Sequence, residues 1–256
     1  MAVTGEPHIV VEDLALAYGN TVVLHDLTFT VNRGDIFIIM GASGGGKTTV
    51  LRSMVGLLPP AKGQVLYDGL SFWSATPEEQ KSIMRRFGIL YQSGALWSSL
   101  TLAENVALPL HLYTGLGEDL IEEVVSLKLS LVGLAGFEDY YPSEISGGMK
   151  KRAGLARAMA LDPDILFFDE PSAGLDPISA HLLDELIIAL RNSLGATVVV
   201  VTHELASIFA IGNNAVFLDA DTKTMIAAGD PRQLLAESKD PKVIDFLTRG
   251  EGRKEK

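Results

Sequence analysis

The run Met40-Gly41-Ala42-Ser43-Gly44-Gly45-Gly46-Lys47-Thr48-Thr49 follows directly on the apolar stretch Ile36-Phe37-Ile38-Ile39. A buried strand that turns through four glycines into a Lys-Thr-Thr helix start has the makings of a phosphate cradle. Glycines let backbone N–H groups approach anionic oxygens, and the N-terminal end of a helix adds partial positive charge. Lys47 then reaches the β- and γ-phosphates of a nucleotide, and the Thr48 hydroxyl is placed to ligate Mg²⁺. The plain alternative is a flexible glycine-rich loop, which the flanking strand and helix disfavour.

Other residues repeat this strand-end geometry. Asp169 and Glu170 end the apolar run Ile165 to Phe168, at the edge where open α/β sheets bind ligands. Asp169 is suited to hold Mg²⁺ through water, and Glu170 to orient or deprotonate the water that attacks a γ-phosphate. Read alone, the pair is equally a surface turn before Pro171. Val198 to Val201 ends in Thr202-His203-Glu204, which carries His203 to the same edge to sense that phosphate; a lone histidine there is otherwise a helix cap or a core residue. Gln92, after Ile89-Leu90-Tyr91, offers an amide to Mg²⁺ or water.

Ser146-Gly147-Gly148 precedes Met149-Lys150-Lys151-Arg152 and a helical run to Ala160, a second anion-binding helix start with a serine N-cap. An ordinary capped helix with a basic solvated face has the same pattern. Two phosphate-facing helix ends but one lysine-bearing loop imply that a second copy of the chain completes the site.

The elements that must position these groups are read from hydrophobic periodicity and turn residues. From Ile9 to about Gln92 the pattern predicts β-rich segments around one helix: strands at His8 to Leu16, Val22 to Val31, Ile36 to Met40, Gln64 to Tyr67 and Gly88 to Tyr91, with the helix at Thr49 to Leu57. From Thr101 to about Ala160, apolar residues recur at helical spacing, punctuated at Pro109, Gly115 to Gly117, Gly133, Gly136 and Pro142, as in an inserted helical lobe. Ile165 to Phe168 and Thr197 to Val201 read as buried parallel strands separated by a helix over Ser179 to Leu194. The expected division is a core over about 1–92 and 161–235, a helical subdomain over about 93–160 and a C-terminal extension over about 236–256. Val243, Phe246 and Leu247, within Asp240 to Leu247, form an apolar stripe that either packs on the chain's own core or docks on a partner. The charged tail from Thr248 is expected to fray.

Of 256 residues, 47% are hydrophobic, enough for a substantial core. The longest apolar stretches fall far short of the roughly 20 residues that span a bilayer, and the N-terminus shows no leader pattern, so a cytoplasmic chain is expected. With no cysteine, disulfides, thiolate metal sites and thiol nucleophiles are excluded. Against 32 acidic residues stand 21 Lys and Arg, a net charge of −11 that disfavours nucleic acid as a partner.

GASGGGKTT at 41–49, Gln92, ISGGM at 145–149, ILFFDE at 165–170, SAGLD at 172–176 and His203 together resemble, in order and spacing, the ATPase subunits of ATP-binding cassette transporters. The likeness covers almost the whole chain. It implies a RecA-like P-loop α/β core with an antiparallel β-subdomain and an inserted helical subdomain, two copies sandwiching two ATP molecules head to tail. It assigns Gly41 to Thr49 (Gly41, Ala42, Ser43, Gly44, Gly45, Gly46, Lys47, Thr48 and Thr49) to the Walker A loop and Gln92 to the Q-loop. Ser146, Gly147 and Gly148 fall in the signature, Asp169 is the Walker B carboxylate, Glu170 the catalytic base and His203 the switch. Asp176 matches the aspartate that communicates across the dimer. Tyr18 matches the aromatic residue that stacks on adenine, where a core tyrosine is the other reading.

Met149 stands where the usual signature has glutamine, and methionine cannot replace that amide's hydrogen bonds. The same methionine, with Tyr91 to Leu96, Met149 to Ala153 and Asp240 to Leu247, resembles the subfamily serving Mla/Mce lipid transport. That likeness implies ATP and Mg²⁺ as cofactors and a place on the cytoplasmic face of the inner membrane. Its implied partners are a second copy, a multispan MlaE-type permease, an MCE-type lipid-binding protein and, in some systems, a small STAS-domain subunit. Transporters of non-lipid cargo share the catalytic residues, and an iron–sulphur assembly ATPase fits the length.

Overall fold

The computed structural model describes residues 5–250. The part of the charged tail beyond residue 250 lies outside them. The chain opens with a long hairpin, β1 (Pro7–Tyr18) and β2 (Thr21–Asn32), then β3 (Ile36–Met40), α1 (Lys47–Met54), β4 (Lys62–Tyr67), β5 (Leu70–Ser71), α2 (Pro77–Met84) and β6 (Phe87–Leu90). Three helices follow: α3 (Leu102–Tyr113), α4 (Glu118–Leu131) and α5 (Gly147–Ala158). The chain then runs through β7 (Ile165–Asp169), α6 (Pro177–Leu194), β8 (Thr197–Val201) and α7 (Leu205–Ile211). It closes with β9 (Asn214–Asp219), β10 (Thr224–Gly229), α8 (Pro231–Glu237) and α9 (Pro241–Leu247).

These strands form two sheets. One is antiparallel, in the order β2-β1-β4-β5; the other has the order β10-β9-β3-β8-β7-β6, parallel except for its edge strand β10. Every residue of β3, β7 and β8 is buried, as expected of parallel strands covered on both faces. Their alternation divides the interior in two. Phe37, Ile39, Phe167, Val199 and Val201 face a core shared with α1 and the antiparallel sheet. Ile38, Met40, Phe168, Val198 and Val200 face a second core shared with α3, α4, α5 and α6. The three parallel strand ends that carry candidate chemistry therefore have fixed height and register: Phe37 pairs with Val199, and Asp169 with Val201.

Several expectations need correction. Residues 5–92 hold two α-helices, because Thr76 and Glu79 form a capping box before Pro77 that starts α2. Pro109 does not end a helix: α3 runs through it, its buried Val106 and Leu110 packing on the core and outweighing the lost backbone bond. Strands β9 and β10 were not anticipated, although β9 pairs directly with β3. The stripe on α9 packs on its own chain: Val243 and Leu247 are buried, and the Phe246 ring meets Phe217 edge-on at 5.1 Å. Lys242 ties the same helix to Asp219 at 2.7 Å.

Opposite the loop-bearing edge, the N-terminal ends of the parallel strands are welded to the antiparallel sheet by a charged cluster. Buried His8 accepts from Arg33 at 3.2 Å and Arg86 at 2.9 Å through Nε2, which leaves its Nδ1 hydrogen to bond Thr197 Oγ1 at 2.7 Å. Arg86 also pairs with Asp164 at 2.6 Å and Asp68 at 2.7 Å. Burial alone would raise the Asp164 carboxyl, but the Arg86 guanidinium bonded to it outweighs this and holds the group well below the usual carboxylate range.

Candidate active site

The glycine-rich turn at the end of β3 is fixed by close packing. A Cβ on Gly41 would lie 2.3 Å from the Leu218 carbonyl oxygen of β9, so only glycine fits there. Gly46, the N-cap of α1, sits at φ +82°, and a side chain there would run into Leu24. The turn leads into α1 with its first N–H groups unpartnered within the helix, which is the donor set a phosphate needs.

Lys47 is only 7% exposed, and its ammonium donates to the carbonyls of Gly41 and Ala42, both at 2.9 Å. Burial pushes it below its ordinary value, against the pull of Glu170 and Asp169. An ammonium has three donors; two rest on neutral loop oxygens and one is left for an anion.

Next to it, Thr48 donates to Asp169 Oδ1 at 3.0 Å. Burial raises the Asp169 carboxyl, only partly offset by that hydrogen bond. Glu170 Oε1 accepts from His203 Nδ1 at 2.8 Å, whereas Glu170 Oε2 is buried with no hydrogen-bond partner. Glu170 also adopts φ +49°, a left-handed conformation that costs a non-glycine residue about 1–2 kcal/mol. A buried orphan carboxylate oxygen on a strained residue is the mark of a group kept ready for a proton or a water. Hydroxyl, carboxylate and amide oxygens are the hard donors that Mg²⁺ takes, and no cluster of three or more His, Cys, Asp or Glu forms a metal cage among the described residues.

These groups border one cleft of about 400 Å³ lined by Val23, the loop from Ser43 to Thr49, Gln92, Glu170 and His203. Gly41, Ala42 and Asp169 lie beneath it as backbone and hydroxyl partners. Val23 was not anticipated; it is a strand residue with nothing but its place to mark it. Tyr18 is no core residue: it is 46% exposed at the end of β1, and its hydroxyl accepts from Arg52 of α1 at 3.3 Å.

Ser146 to Gly148 and Asp176 do not line the cleft of their own chain. Ser146 caps α5 by accepting from Met149 N at 3.2 Å, and Asp176 caps α6 through Ile178 and Ser179, both at 3.0 Å. Met149 is packed against the helical-side core. The alternative of a basic solvated face on α5 does not hold, because its cations are largely turned inward. Lys151 reaches backbone oxygens after β7, Arg152 caps the end of α4 at Val132 and Gly133, and Arg157 holds Gly94 and Ala95 in the loop after Gln92.

A parallel sheet whose strand ends present a phosphate loop, a hydroxyl–carboxylate pair and a glutamate–histidine pair defines a P-loop nucleotide hydrolase. Residues 24–173 match the ABC transporter family. Over 239 residues the chain is 43% identical to the intermembrane phospholipid transport system ATP-binding protein MlaF of Haemophilus influenzae, covering 93% of this chain and 89% of that one. It is 40% identical to the probable ribonucleotide transport ATP-binding protein mkl of Mycobacterium tuberculosis, over 93% of this chain and 66% of that protein. A dimeric ATP-binding cassette solved in a post-hydrolysis state with ADP and Pi superposes with a TM-score of 0.78 at 27% identity, over 87% of this chain and 98% of the other. The chain belongs to the ABC transporter family, as an ATP-binding and ATP-hydrolysing cassette.

Proposed function

We propose that this chain powers phospholipid transport by hydrolysing ATP beneath a separate membrane permease, and that its active sites are shared between two copies. The observation that carries the catalytic part is the Glu170–His203 pair set beside Lys47 and the Thr48–Asp169 pair in one cleft. Gly41 to Thr49 cradle the phosphates, with Lys47 turning its spare donor to the β- and γ-oxygens. Tyr18 stacks on adenine with its exposed ring. Thr48, Gln92 and Asp169 hold Mg²⁺, which when bound neutralises the charge that develops on the transferred phosphoryl group. Glu170 takes the proton of the attacking water, and His203 holds the Glu170 carboxylate in place and meets the γ-phosphate. Because Ser146, Gly147, Gly148 and Asp176 lie away from the cleft of their own chain, a partner's copies of them complete it.

A mixing experiment tests the shared site. Lys47→Ala and Ser146→Arg chains are each expected to be inactive alone, and mixed dimers to regain part of the activity, since one site of each hybrid is intact. Hybrids that form but stay inactive sink the shared site unless a nucleotide-trapped crosslink between Ser43 and Ser146 shows the two chains in register.

No helix among the described residues is long and apolar enough to cross a membrane, and in this reading a separate permease does so. A groove of about 300 Å³ beside the Gln92 loop, lined by Tyr91, Trp97, Leu108, Leu112, Tyr113 and Arg157, supports docking of a permease segment there. Trp97 is 60% and Leu112 64% exposed. The lipid cargo rests on the likeness to the phospholipid system, which spans 89% of that relative; the 40% likeness to a probable ribonucleotide transport protein supports the alternative of a non-lipid cargo. Purification in mild detergent distinguishes them. A multispan MlaE-type permease and an MCE-type lipid-binding protein, with or without a small STAS-domain subunit, are expected to copurify with bound phospholipid. A permease for another solute, without lipid or MCE protein, overturns the lipid reading.

A further inference from the structure

One buried cation has no part in the site described above. Lys151 lies on the second turn of α5, is 5% exposed, and sends its ammonium across to the turn that follows β7. It bonds the carbonyl oxygens of Pro171 at 2.5 Å, Ala173 at 2.6 Å and Glu170 at 3.3 Å. Three donors meet three acceptors, so the ammonium is saturated by backbone oxygens of one turn. No carboxylate side chain shares this pocket by hydrogen bond, and burying an ammonium among neutral groups is costly unless its donors are filled.

The held turn is the one that carries Glu170. Glu170 enters it at φ +49°, its N–H tied to the Val201 carbonyl at 2.8 Å and its own carbonyl accepting from Ala173 N at 3.2 Å. Left-handed backbone at a residue with a side chain persists only where its surroundings over-determine it. Lys151 supplies a further constraint, and from a different element: the helix that Ser146 caps. The second turn of α5 and the peptide of Glu170 are thereby joined by one side chain.

Resting on the reading of Glu170 as the base, we propose that Lys151 is a positioning residue that locks the Glu170–Ala173 turn to α5, so that the carboxylate and the Ser146 end of that helix move as one body. Lys151 touches neither nucleotide nor water in this role; it acts through Glu170. In a shared-site dimer, α5 reaches the partner's nucleotide with its first turn while its second turn holds the glutamate of its own site, so the link couples the two sites.

The test compares Lys151→Met, Lys151→Arg, Glu170→Gln and the double variant Lys151→Met/Glu170→Gln in the full-length protein. For Lys151→Met, kcat is expected to fall at least tenfold, with the affinity for ATP within threefold of wild type. Cooperativity between the sites should drop towards a Hill coefficient of one. Lys151→Arg, which keeps charge and donors, should recover most of kcat. In the Glu170→Gln background the Lys151→Met change should add less than twofold, because its effect passes through the missing base. A kcat within twofold of wild type, a loss confined to ATP affinity, or full additivity with Glu170→Gln overturns the proposal. If Lys151→Met does not fold, Lys151→Gln takes its place, with at least a threefold fall expected and unchanged kcat overturning it. If Glu170→Gln alone keeps normal turnover, the base assignment fails instead, and that result is distinct.

Discussion

The two edges of the parallel sheet are built from the same residue types to opposite ends. At the N-terminal edge His8, Arg33, Arg86, Asp68 and Asp164 satisfy one another, and the cluster joins two sheets. At the C-terminal edge the polar groups are left incomplete: Lys47 rests on two carbonyls with a donor to spare, and Glu170 buries an oxygen that nothing bonds. Buried polar groups are normally paired. The paired edge therefore contributes stability, and the unpaired one is a place where a ligand supplies what is missing.

That contrast can be broken from the ligand-facing side first. Glu170→Gln keeps the shape and loses the proton acceptor, so steady-state hydrolysis should fall by about 10²–10⁴-fold with ATP binding retained; near-normal turnover in a phosphate-release assay removes Glu170 from its role. Lys47→Ala should cost about 10²–10³-fold in turnover or ATP affinity, as removal of a single transition-state hydrogen-bond donor does elsewhere. Its melting temperature without nucleotide should stay close to wild type, because the lost bonds end on loop carbonyls; a large drop would mean that Lys47 holds the fold. Tyr18→Ala should weaken nucleotide binding by about 1–3 kcal/mol, the range for stacking of a base on an aromatic ring. Titration with a fluorescent ATP analogue reads this, and Tyr18→Phe should bind normally.

The paired edge should give the smallest effect, and on stability alone. Asp164→Asn is expected to cost about 1 kcal/mol near neutral pH, since solvent screens a carboxylate that is not fully buried. The folded-state pKa of Asp164 is depressed, so its contribution is present above the unfolded value of about 4 and is lost as pH falls below it. Thermal melts from pH 7 to pH 3 should show the gap between wild type and variant start to narrow below about pH 4, with hydrolysis at pH 7 unchanged. A change in turnover greater than about twofold would show that the edges are not independent.

Much of this was legible in the sequence, for physical reasons that differ by residue. Ile36 to Met40, Ile165 to Asp169 and Thr197 to Val201 are apolar runs too continuous for a half-exposed strand, and the residues after them had to share an edge. The glycine loop was readable because a backbone that must approach phosphate leaves few other choices of residue. Strand β9 was missed although Gly212-Asn213 leads into it: NAVFLD is short and owes its place to β3, far away in the chain. Lys151 and Arg152 could equally have formed a solvated face in the sequence, because a cation pointing inward has the same spacing as one pointing out. Only the positions of the carbonyls they meet, set by tertiary packing, separate the two. The φ of Glu170 left no trace in residue type at all.

The seating of Gly41 against Leu218 bears on how the molecule is made. The phosphate loop is finished by residue 49, yet the strand that backs it ends near residue 219. At about 5–20 residues per second of synthesis, roughly ten to thirty seconds separate the two. During that interval the nascent loop has no wall behind it, and β3 has neither of its sheet neighbours, β8 and β9. ATP in the cell thus cannot template the early chain. It stabilises the product by mass action only once the last strands have docked, and a ribosome stalled before Leu218 would leave a chain that carries every glycine of the loop and still cannot hold a nucleotide.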